Sequence, residues 1–434
     1  MKKTYLISAV VSLLLSLHAN NVPMIKNMVN VKDFGAVGDG LYKDTRAIQK
    51  AVNTGKIVYF PPGVYRTGTI YLKSGGGLHL ADHAVLLASP HPEDYNKDDF
   101  DKRNPIPVNE YASGAHLIIA RDASDITISG SGSIHGNRNK IFDTDLIHMP
   151  RGRRPRYLMP RWRPGAMLYF IGCKNIKVEG VKLTDPTYWT AFFHDCENLV
   201  INRVIIMSDY FTNNSDGLDI DCCRNVKITN CTIFSGDDSI AIRGSERKLN
   251  KVAECANVIV DNCTLASAAC GVRVGVGTGT IRNCKLSNLK IVDAGIGIGI
   301  CPSYRFGNAT RIDNIEFSNI KIDAVQALRM MPSWNTVNDD PAIKKVTNLS
   351  FNNIEARSSK ASIIAYPSQE GIFDNITIKD STFTLSEGSV GPMVKYWTTP
   401  EYGIINIRGK SKPHIINCRG NSPDNKPLIL QKSH

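Results

Sequence analysis

Short stretches of alternating apolar and polar residues recur along most of the chain. Two weaker examples are TGTIRNCKL from Thr278 and DITISGSGSI from Asp125. From Asn175 onward, and counting the Thr278 stretch, each stretch starts 21 to 36 residues after the previous one. An alternation of period two is typical of a β-strand, and long helical periods are missing. The seven stronger stretches are NIKVEGVKL, NLVINRVII, NVKITNCTI, NVIVDNCTL, NIEFSNIKI, NLSFNNIEA and NITIKDSTF, from Asn175, Asn198, Asn225, Asn257, Asn314, Asn348 and Asn375.

A strand unit that recurs at this spacing predicts a solenoid, in which each coil pairs with the edge that the previous coil leaves open. Equivalent residues then stack about 4.8 Å apart. The recurring asparagine is expected to form an interior ladder in which each side-chain amide bonds to its neighbours above and below. A β-sandwich is the alternative, but it predicts strands every 8–12 residues or so and no recurring signature.

The cysteines follow the same repeat. Cys231, Cys263 and Cys284 each come directly after asparagine, and Cys173, Cys196 and Cys223 each precede a charged residue and asparagine. Although an exported protein can form disulfides, this recurrence indicates one small buried residue stacked from coil to coil. We therefore expect mostly free, buried thiols.

The start of the chain is typical of an export signal. Lys2 and Lys3 precede an apolar run from Leu6 to Leu17, and Ala19 is a small residue suited to cleavage. The run is too short for a membrane anchor, and no later segment has the length of a transmembrane helix. We expect a signal peptide over residues 1–19, a mature chain over residues 20–434, and a periplasmic or secreted location.

The chain is basic, which suggests acidic partners. It carries 52 Lys and Arg against 40 Asp and Glu, a net charge of +12. Nucleic acid, anionic lipid and acidic polysaccharide would all complement that charge. Export disfavours nucleic acid, so the sequence favours an acidic polysaccharide as the partner and no membrane span. We expect the protein to be a monomer.

Against this basic background, residues 213–244 concentrate carboxylates. DGLDI from Asp216 aligns with DSIAI from Asp238, 22 residues later, and then with CGVRV from Cys270 and AGIGI from Ala294. The alignment predicts that these four first residues form one column on one face of the solenoid. Asp237 would lie beside the column, so three carboxylates would meet within one coil of each other. The five acidic residues of this stretch are Asp216, Asp219, Asp221, Asp237 and Asp238.

Like charges this close raise one another's pKa. One carboxyl group can then stay protonated as an acid while the others stay ionised, which is the division of labour in glycoside hydrolysis. Separations of roughly 5–9 Å are reachable, so spacing alone does not choose between inverting and retaining chemistry. Single aspartates in SGDD and NSDG are also common turn residues, and we expect Asp219 and Asp221 to face solvent or help hold a cation.

The motifs NNSDG and SGDDSIAI resemble the Asn-Thr-Asp and Gly-Asp-Asp motifs of glycoside hydrolase family 28, the polygalacturonase family. Three further segments are similar to the family's N-terminal cap, first coils and Arg-Pro coil: DFGAVGDGLYKDTRAIQKAV from Asp33, VYFPPGVYRTGTIYLKS from Val58 and RPGAMLYFIGCKNIKVEGVKL from Arg163. The resemblance implies an all-β fold, a right-handed parallel β-helix of the pectin-lyase-like kind. Residues 20–434 would form one catalytic domain with an N-terminal cap.

The resemblance also implies an activity. The family consists of inverting hydrolases that cut α-linked galacturonic acid chains, without a metal or other cofactor. Carried over by position, Asp237 would be the general acid, and Asp216 and Asp238 would hold and activate the attacking water. Trp189 matches an aromatic residue that is common in the family. It lies with His194 in TYWTAFFHDC, one coil before Asp216, so both are expected to border the cleft.

Two positions depart from the family pattern. The family's catalytic-site histidine corresponds to Cys270, and its Arg-Ile-Lys motif falls on Gly297–Gly299. A desolvated carboxylate-binding pair is worth several kcal/mol, so its loss predicts either a neutral sugar such as rhamnose in that subsite or replacement cations. Arg243, Arg273 and Arg305 are the candidates for such cations.

Two other functions stay open from the sequence. A β-helix polysaccharide lyase would use calcium and a basic residue, but the motifs here match the hydrolases. A catalytically silent carbohydrate-binding β-helix is the third possibility, because Cys270 and the Gly297–Gly299 stretch alter the family's site.

Overall fold

The computed structural model describes most of the chain. The predicted signal peptide, residues 1–19, lies outside the described residues. No helix within the described part is both long enough and apolar enough to cross a bilayer. The described residues are 27–97, 101–105, 112–143, 145–147, 155–305, 308–333, 343–367, 370–386, 405–409, 412–421 and 431–433.

Almost every described strand belongs to one parallel sheet that winds into a right-handed β-helix, so the predicted fold is confirmed. Each complete coil contributes one strand to each of three faces. The first face carries the catalytic candidates, and its strands are Ile70–Tyr71, Ile118–Arg121, Leu168–Ile171, Ala191–His194, Leu218–Asp221, Ile240–Gly244, the ends of Thr264–Gly277, Lys290–Cys301 and Arg311–Met330, and then Ser362–Ala365, Ile405–Arg408 and Gln431–Ser433.

The second face holds the strands that begin with the repeated asparagine. They are Met28–Asn30, Ile57–Phe60, Gly77–Leu80, Ser124–Gly130, Lys174–Glu179, Glu197–Asn202, Arg224–Thr229, Glu254–Asp261, Thr280–Ser287, the first parts of Arg311–Met330 and Val346–Lys360, and then Phe373–Lys379 and His414–Ile416.

The third face closes each coil. Its strands are Asp39–Lys43, Gly63–Thr67, Ala84–Ala88, Ser133–His135, Lys182–Thr184, Ile205–Met207, Thr232–Ser235, the first parts of Thr264–Gly277 and Lys290–Cys301, the middle of Arg311–Met330, the second part of Val346–Lys360, and then Thr382–Leu385 and Arg419–Asn421. Two short antiparallel pairs lie outside the sheet, Leu146–Ile147 with Arg156–Tyr157 and Ser303–Arg305 with Asn308–Ala309.

The alternation seen in the sequence sorts side chains between the core and the surface. Ile176, Leu199, Val226 and Val258 pair in register on successive coils and are all buried. Because every coil contributes such residues, the core is a continuous apolar column along the axis of the helix. Burying each of these side chains contributes about 1.5–3 kcal/mol to folding.

The asparagine ladder exists, but it is exposed rather than interior. Asn198 Nδ2 donates to Asn175 Oδ1 at 3.0 Å, and Asn225 and Asn257 continue the series at 3.1 Å each. These residues have positive φ, for example 58° at Asn225, a conformation that asparagine tolerates better than most residues. The prediction of an interior ladder was wrong because the repeated residue, the second of strands such as Arg224–Thr229, adopts positive φ, is left out of the strand pairing and is exposed.

The cysteines behave as predicted. All eleven are free, and all but Cys418 are buried. Their thiols donate weakly to backbone carbonyls; Cys223 Sγ lies 3.3 Å from the carbonyl oxygen of Phe193 on the preceding coil. They therefore act as small core residues that link neighbouring coils.

A helix covers the N-terminal end of the core. The helix Thr45–Val52 buries Ala47, Ile48, Ala51 and Val52. The buried carboxylate of Asp44 accepts hydrogen bonds from the backbone N–H groups of Val37 and Gly38, at 2.7 and 2.9 Å. This segment corresponds to the cap that the sequence resemblance implies. Four 3-10 helices, Val31–Phe34, Pro92–Asp94, Arg138–Lys140 and Glu246–Lys248, complete the described helical elements.

One part of the predicted column is displaced. Cys270 pairs with Ile296, whereas Ala294 pairs with Ser267. The register is irregular between Ser267 and Cys270, where three steps along one strand match two along the next. Ile296 therefore continues the column, and Ala294 lies two strand positions before it.

Candidate active site

Three successive coils bring the candidate carboxylates together on the first face. Gly217 N–H donates to the carbonyl of Asp238 at 2.9 Å, and Ser239 N–H donates to the carbonyl of Cys270 at 2.8 Å. These bonds place Asp216, Asp238 and Cys270 one above another, as the sequence predicts. An open cavity of about 70 Å³ lies here, lined by Trp189, Asn214, Asp216, Asp237, Asp238, Ala241, Arg243, Arg273 and Val276.

The turn that presents Asp237 and Asp238 is held by small hydroxyl residues. Ser235 Oγ and Ser267 Oγ both donate to the carbonyl oxygen of Asp237, at 2.7 and 2.5 Å. Gly236 donates its N–H to Ser215 Oγ at 3.1 Å, and a Cβ on this glycine would overlap that hydroxyl. The Gly-Asp-Asp order thus follows from a close backbone approach that only glycine permits.

Asp216 is a buried member of the cavity. Only 6% of its surface is exposed. Burial raises its pKa well above the ordinary aspartate value, and the charges of Asp219, Asp237 and Asp238 raise it further. The ionised form of Asp216 is therefore unfavourable in this cavity.

Asp238 is fixed from the next coil. Its Oδ2 accepts a hydrogen bond from Arg273 Nη1 at 3.0 Å, and its Oδ1 accepts one from the N–H of Cys270 at 3.1 Å. Both Asp238 and Arg273 are buried, and the ion pair raises the pKa of Arg273 above its usual value although burial opposes this. The sequence candidate Arg273 thus orients one of the candidate carboxylates in addition to lining the cavity.

Asp219 and Asp221 are both completely buried. The expectation that they face solvent was therefore wrong. Arg243 Nη1 lies 2.9 Å from Asp219 Oδ1, and Arg243 Nε lies 3.6 Å from Asp221 Oδ2. Burial raises the pKa of Asp219 to about 7, although Arg243 lowers it in part. The Arg243 guanidinium also stacks on Trp189, 4.4 Å from the ring centre. Asp219, Arg243 and Trp189 therefore form one packed unit beside the cavity.

His194 lies under this unit and is completely buried. Its Nδ1 is 3.8 Å from Asp221 Oδ2, and burial lowers the imidazole pKa. His194, Asp221 and Cys222 offer donor atoms within 4.8 Å of one another, so they could in principle hold a metal ion. The Arg243 cation beside Asp221 disfavours such an ion, and His194 is a packing residue that does not reach the cavity.

The positions that depart from the family pattern lie beside the cavity. The Cys270 side chain is buried, and it is the backbone N–H of this residue that bonds to Asp238. Gly299 pairs with Arg273 on one side and Arg329 on the other, so an arginine flanks the glycine on each neighbouring coil. The backbone of Arg305 lies in the strand Ser303–Arg305, and its side chain lies outside the described residues.

The structure adds residues that the sequence reasoning missed. Asn214 lines the cavity, and its Oδ1 accepts a hydrogen bond from the buried Arg163 Nη2 at 3.2 Å. Arg163 also donates to the carbonyls of Thr187 and Asn213, both at 2.8 Å. Asn214 lies two residues before Asp216 in the NNSDG motif, so its place in the cavity could have been predicted from the sequence. Its contact with Arg163 could not, because the two residues meet only in the folded chain.

Together the fold and the cavity define a right-handed parallel β-helix protein with three carboxylates in one open cavity. The family model described as "Glycosyl hydrolases family 28" matches residues 108–398, about two thirds of the chain. The chain therefore belongs to glycosyl hydrolases family 28, as its motifs predict. A second family model, "Rhamnogalacturonase A/epimerase, pectate lyase-like", matches residues 28–76 and thus the cap and the first coils.

Individual relatives are distant. The chain is 29% identical over 226 residues to a probable polygalacturonase of Vitis vinifera, covering 49% of this chain and 43% of that protein. It is 27% identical over 254 residues to an exo-poly-alpha-D-galacturonosidase of Dickeya chrysanthemi, covering 50% and 42%. The chain thus spans less than half the length of these two relatives.

Among solved structures, the family 28 exopolygalacturonase of Yersinia enterocolitica superposes with a TM-score of 0.66 at 21% identity. The match covers 94% of this chain and 78% of that one. At this identity the likeness concerns the fold.

Proposed function

We propose that the protein hydrolyses α-glycosidic bonds in an acidic pectic polysaccharide, polygalacturonan or rhamnogalacturonan. The observation that carries the proposal is the meeting of Asp216, Asp237 and Asp238 in one cavity of a family 28 fold. Both relatives described above are named for action on galacturonan. The net charge of +12 suits a polyanionic substrate.

In the proposed mechanism, Asp237 donates a proton to the oxygen of the leaving sugar. It is the most accessible of the three carboxyl groups. Asp216 and Asp238 hold a water molecule on the opposite side of the sugar ring and accept its proton as it attacks. Attack from that side inverts the configuration at the anomeric carbon.

Arg273 and Arg243 hold the side chains around the cavity in position. Arg273 orients Asp238 through the 3.0 Å contact, and Arg243 joins Asp219 to the Trp189 ring. Trp189 is 4% exposed and lines the cavity, so it offers one edge to a sugar while it packs against the arginine. The proton transfers thus take place in a rigid environment, which favours catalysis.

We infer that the mature protein, residues 20–434, is one catalytic domain that acts outside the cytoplasm as a monomer. The basic and apolar pattern of residues 1–19 supports export. A polysaccharide substrate would itself lie outside the cell.

The test incubates the purified mature chain with polygalacturonate, rhamnogalacturonan and a neutral glycan. Reducing ends and ultraviolet absorbance are followed together. New reducing ends without new absorbance are expected from the acidic polymers, with loss in Asp238→Asn and retention in the surface control Asp82→Asn. Absorbance from an unsaturated product would instead identify a lyase, and binding without turnover would identify a carbohydrate-binding protein.

A further inference from the structure

A second cavity lies on the first face, near the N-terminal end of the helix. It has a volume of about 270 Å³ and is lined by Tyr71, Leu72, Lys73, Ile119 and Arg121. Ile119 and Leu72 are buried and form an apolar floor, whereas Tyr71 is 40% exposed. An apolar floor with an exposed aromatic ring is a common setting for the weakly polar face of a sugar.

Two cations lie side by side in this cavity. Tyr71 pairs in register with Ile119, and Lys73 and Arg121 each lie two residues beyond that pair on adjacent coils. Like charges placed opposite each other in a sheet are destabilising. An anion between them would remove that cost.

The nearby carboxylates of Asp101 and Asp122 form their close ion pairs with Arg103, at 2.8 and 2.7 Å. Asp101 also feels the charge of Arg121. In the part of the chain that the structure describes, neither Lys73 nor Arg121 forms an ion pair, and both are exposed. Gln49 fixes the strand beside them through hydrogen bonds of 2.8 and 3.0 Å to the backbone of Tyr71, so the aromatic ring has a rigid base.

This cavity is separate from the catalytic one. Three coil steps, about 14 Å, separate the strand Ile118–Arg121 from the strand Leu218–Asp221. The outward residues between them, Tyr169 and Phe192, are completely buried, with the rings of His116 and Trp189 packed against them. Because this stretch is covered, a sugar chain cannot lie along the face continuously from one cavity to the other.

We propose that the Lys73–Arg121 cavity is an ancillary binding site for a carboxylated sugar unit of an acidic polysaccharide. The two cations hold the carboxylate, and Tyr71 packs on the sugar ring. The site keeps the enzyme on its polymer between cleavage events. The choice of a pectic chain as ligand rests on the proposed function, whereas the cavity and its charges do not.

The test measures binding in the Asp238→Asn background, in which turnover is stopped. The probe is polygalacturonate, with dextran sulfate as a generic polyanion and dextran as a neutral chain. Lys73→Ala with Arg121→Ala is compared with Lys227→Ala with Lys290→Ala, which removes equal charge from other faces. Losing two charge-assisted contacts is expected to weaken polygalacturonate binding about tenfold or more, and the control is expected to bind as the parent does.

Tyr71 provides a second, uncharged readout. Tyr71→Ala is expected to weaken binding of polygalacturonate, and Tyr71→Phe is expected to retain it. With otherwise native Asp238, the double variant should show a higher KM on the polymer and an unchanged kcat on short oligogalacturonates. Thermal melts establish that each variant is folded.

Unchanged affinity in the folded double variant, an equal loss in the charge-matched control, or equally tight and equally affected dextran sulfate binding would each overturn the proposal. These outcomes do not depend on catalysis. If the protein binds polygalacturonate through this cavity but releases no reducing ends, the ancillary site stands and the proposed hydrolysis fails.

Discussion

Asp219 shows how a single buried carboxylate is tolerated beside the candidate active-site cavity. It has no exposed surface, and its one strong partner is Arg243 at 2.9 Å. Burial outweighs that partner, since the pKa of Asp219 rises to about 7. A protein retains such a residue at a cost in stability at neutral pH.

This cost predicts a pH-dependent effect of Asp219→Asn. Because the folded pKa is above the unfolded one, the stabilisation from protonated Asp219 is complete below about pH 4 and is lost as the pH rises to about 7. The variant has no titrating group at this position and does not lose this stabilisation. The difference in the free energy of unfolding, variant minus native protein, should therefore increase between pH 4 and 7, by on the order of 2–4 kcal/mol. Denaturant unfolding at each pH measures the difference, with exposed Asp82→Asn as control. A difference that stays constant with pH would contradict the assignment.

Arg273 makes a second prediction at the same scale. Arg273→Lys keeps the charge but loses the planar fork that reaches Asp238, so the carboxylate is less well oriented. We expect kcat on polygalacturonate to fall on the order of 100-fold, with a smaller change in KM. Steady-state kinetics tests this, and Arg282→Lys, in an exposed pair with Glu254, is the matched control. A change in KM alone would assign Arg273 to substrate binding instead.

Single residues were predictable where a motif fixed their neighbours. Asp216, Asp237 and Asp238 followed from the alignment of two coils, and their meeting is confirmed by the backbone bonds between those coils. The burial of Asp219 was not predictable, because the groups that cover it, Arg243 and Trp189, come from the coils on either side. An alternating pattern indicates that a side chain points away from the core, but not what packs on it.

At the scale of the strand, the repeated asparagine links coils at their bends. Asn198, Asn225 and Asn257 each donate to the asparagine of the preceding coil, and all three have positive φ. The side chain therefore contributes a hydrogen bond, while the residue type makes the bend possible. These two contributions can be separated by experiment.

The separation uses Asn225, in the middle of the ladder. Asn225→Ala loses the amide bonds and strains the backbone, whereas Asn225→Gly loses the bonds but accommodates φ near 58°. We expect losses of about 2 kcal/mol and about 1 kcal/mol in the free energy of unfolding. Urea unfolding measures both. Equal losses would show that the backbone conformation contributes nothing.

Strand register was only partly predictable. The column from Asp216 to Cys270 is regular, but Cys270 pairs with Ile296 and not with Ala294, and the pairing is irregular between Ser267 and Cys270, where the first strand has one extra residue. Nothing in the alternation of ASAACGVRV marks the extra residue, because small residues fit either side of a sheet. The position of such a bulge depends on the packing of two coils against each other.

At the scale of the whole molecule, the fold followed from the repeat, because a strand unit that recurs with one signature can bury its core only by stacking. The same stacking removes nearly all thiols from solvent. In the native protein we expect an aromatic disulfide reagent to label about one cysteine, Cys418, and to label all eleven after denaturation. Several rapidly labelled thiols in folded protein would contradict the buried columns.

The separation of the two cavities along one helix axis has a consequence for how this architecture can change. Each coil between them adds a rise of about 4.8 Å and touches only its two neighbours. Insertion of one coil between the strands Ile118–Arg121 and Leu168–Ile171 would lengthen the span by one fixed step and leave both sets of lining residues intact, because Trp189 and the other residues of the candidate active-site cavity come later in the chain. The distance between the two cavities can therefore change during evolution only in whole-coil steps of about 4.8 Å, while each cavity keeps its own residues.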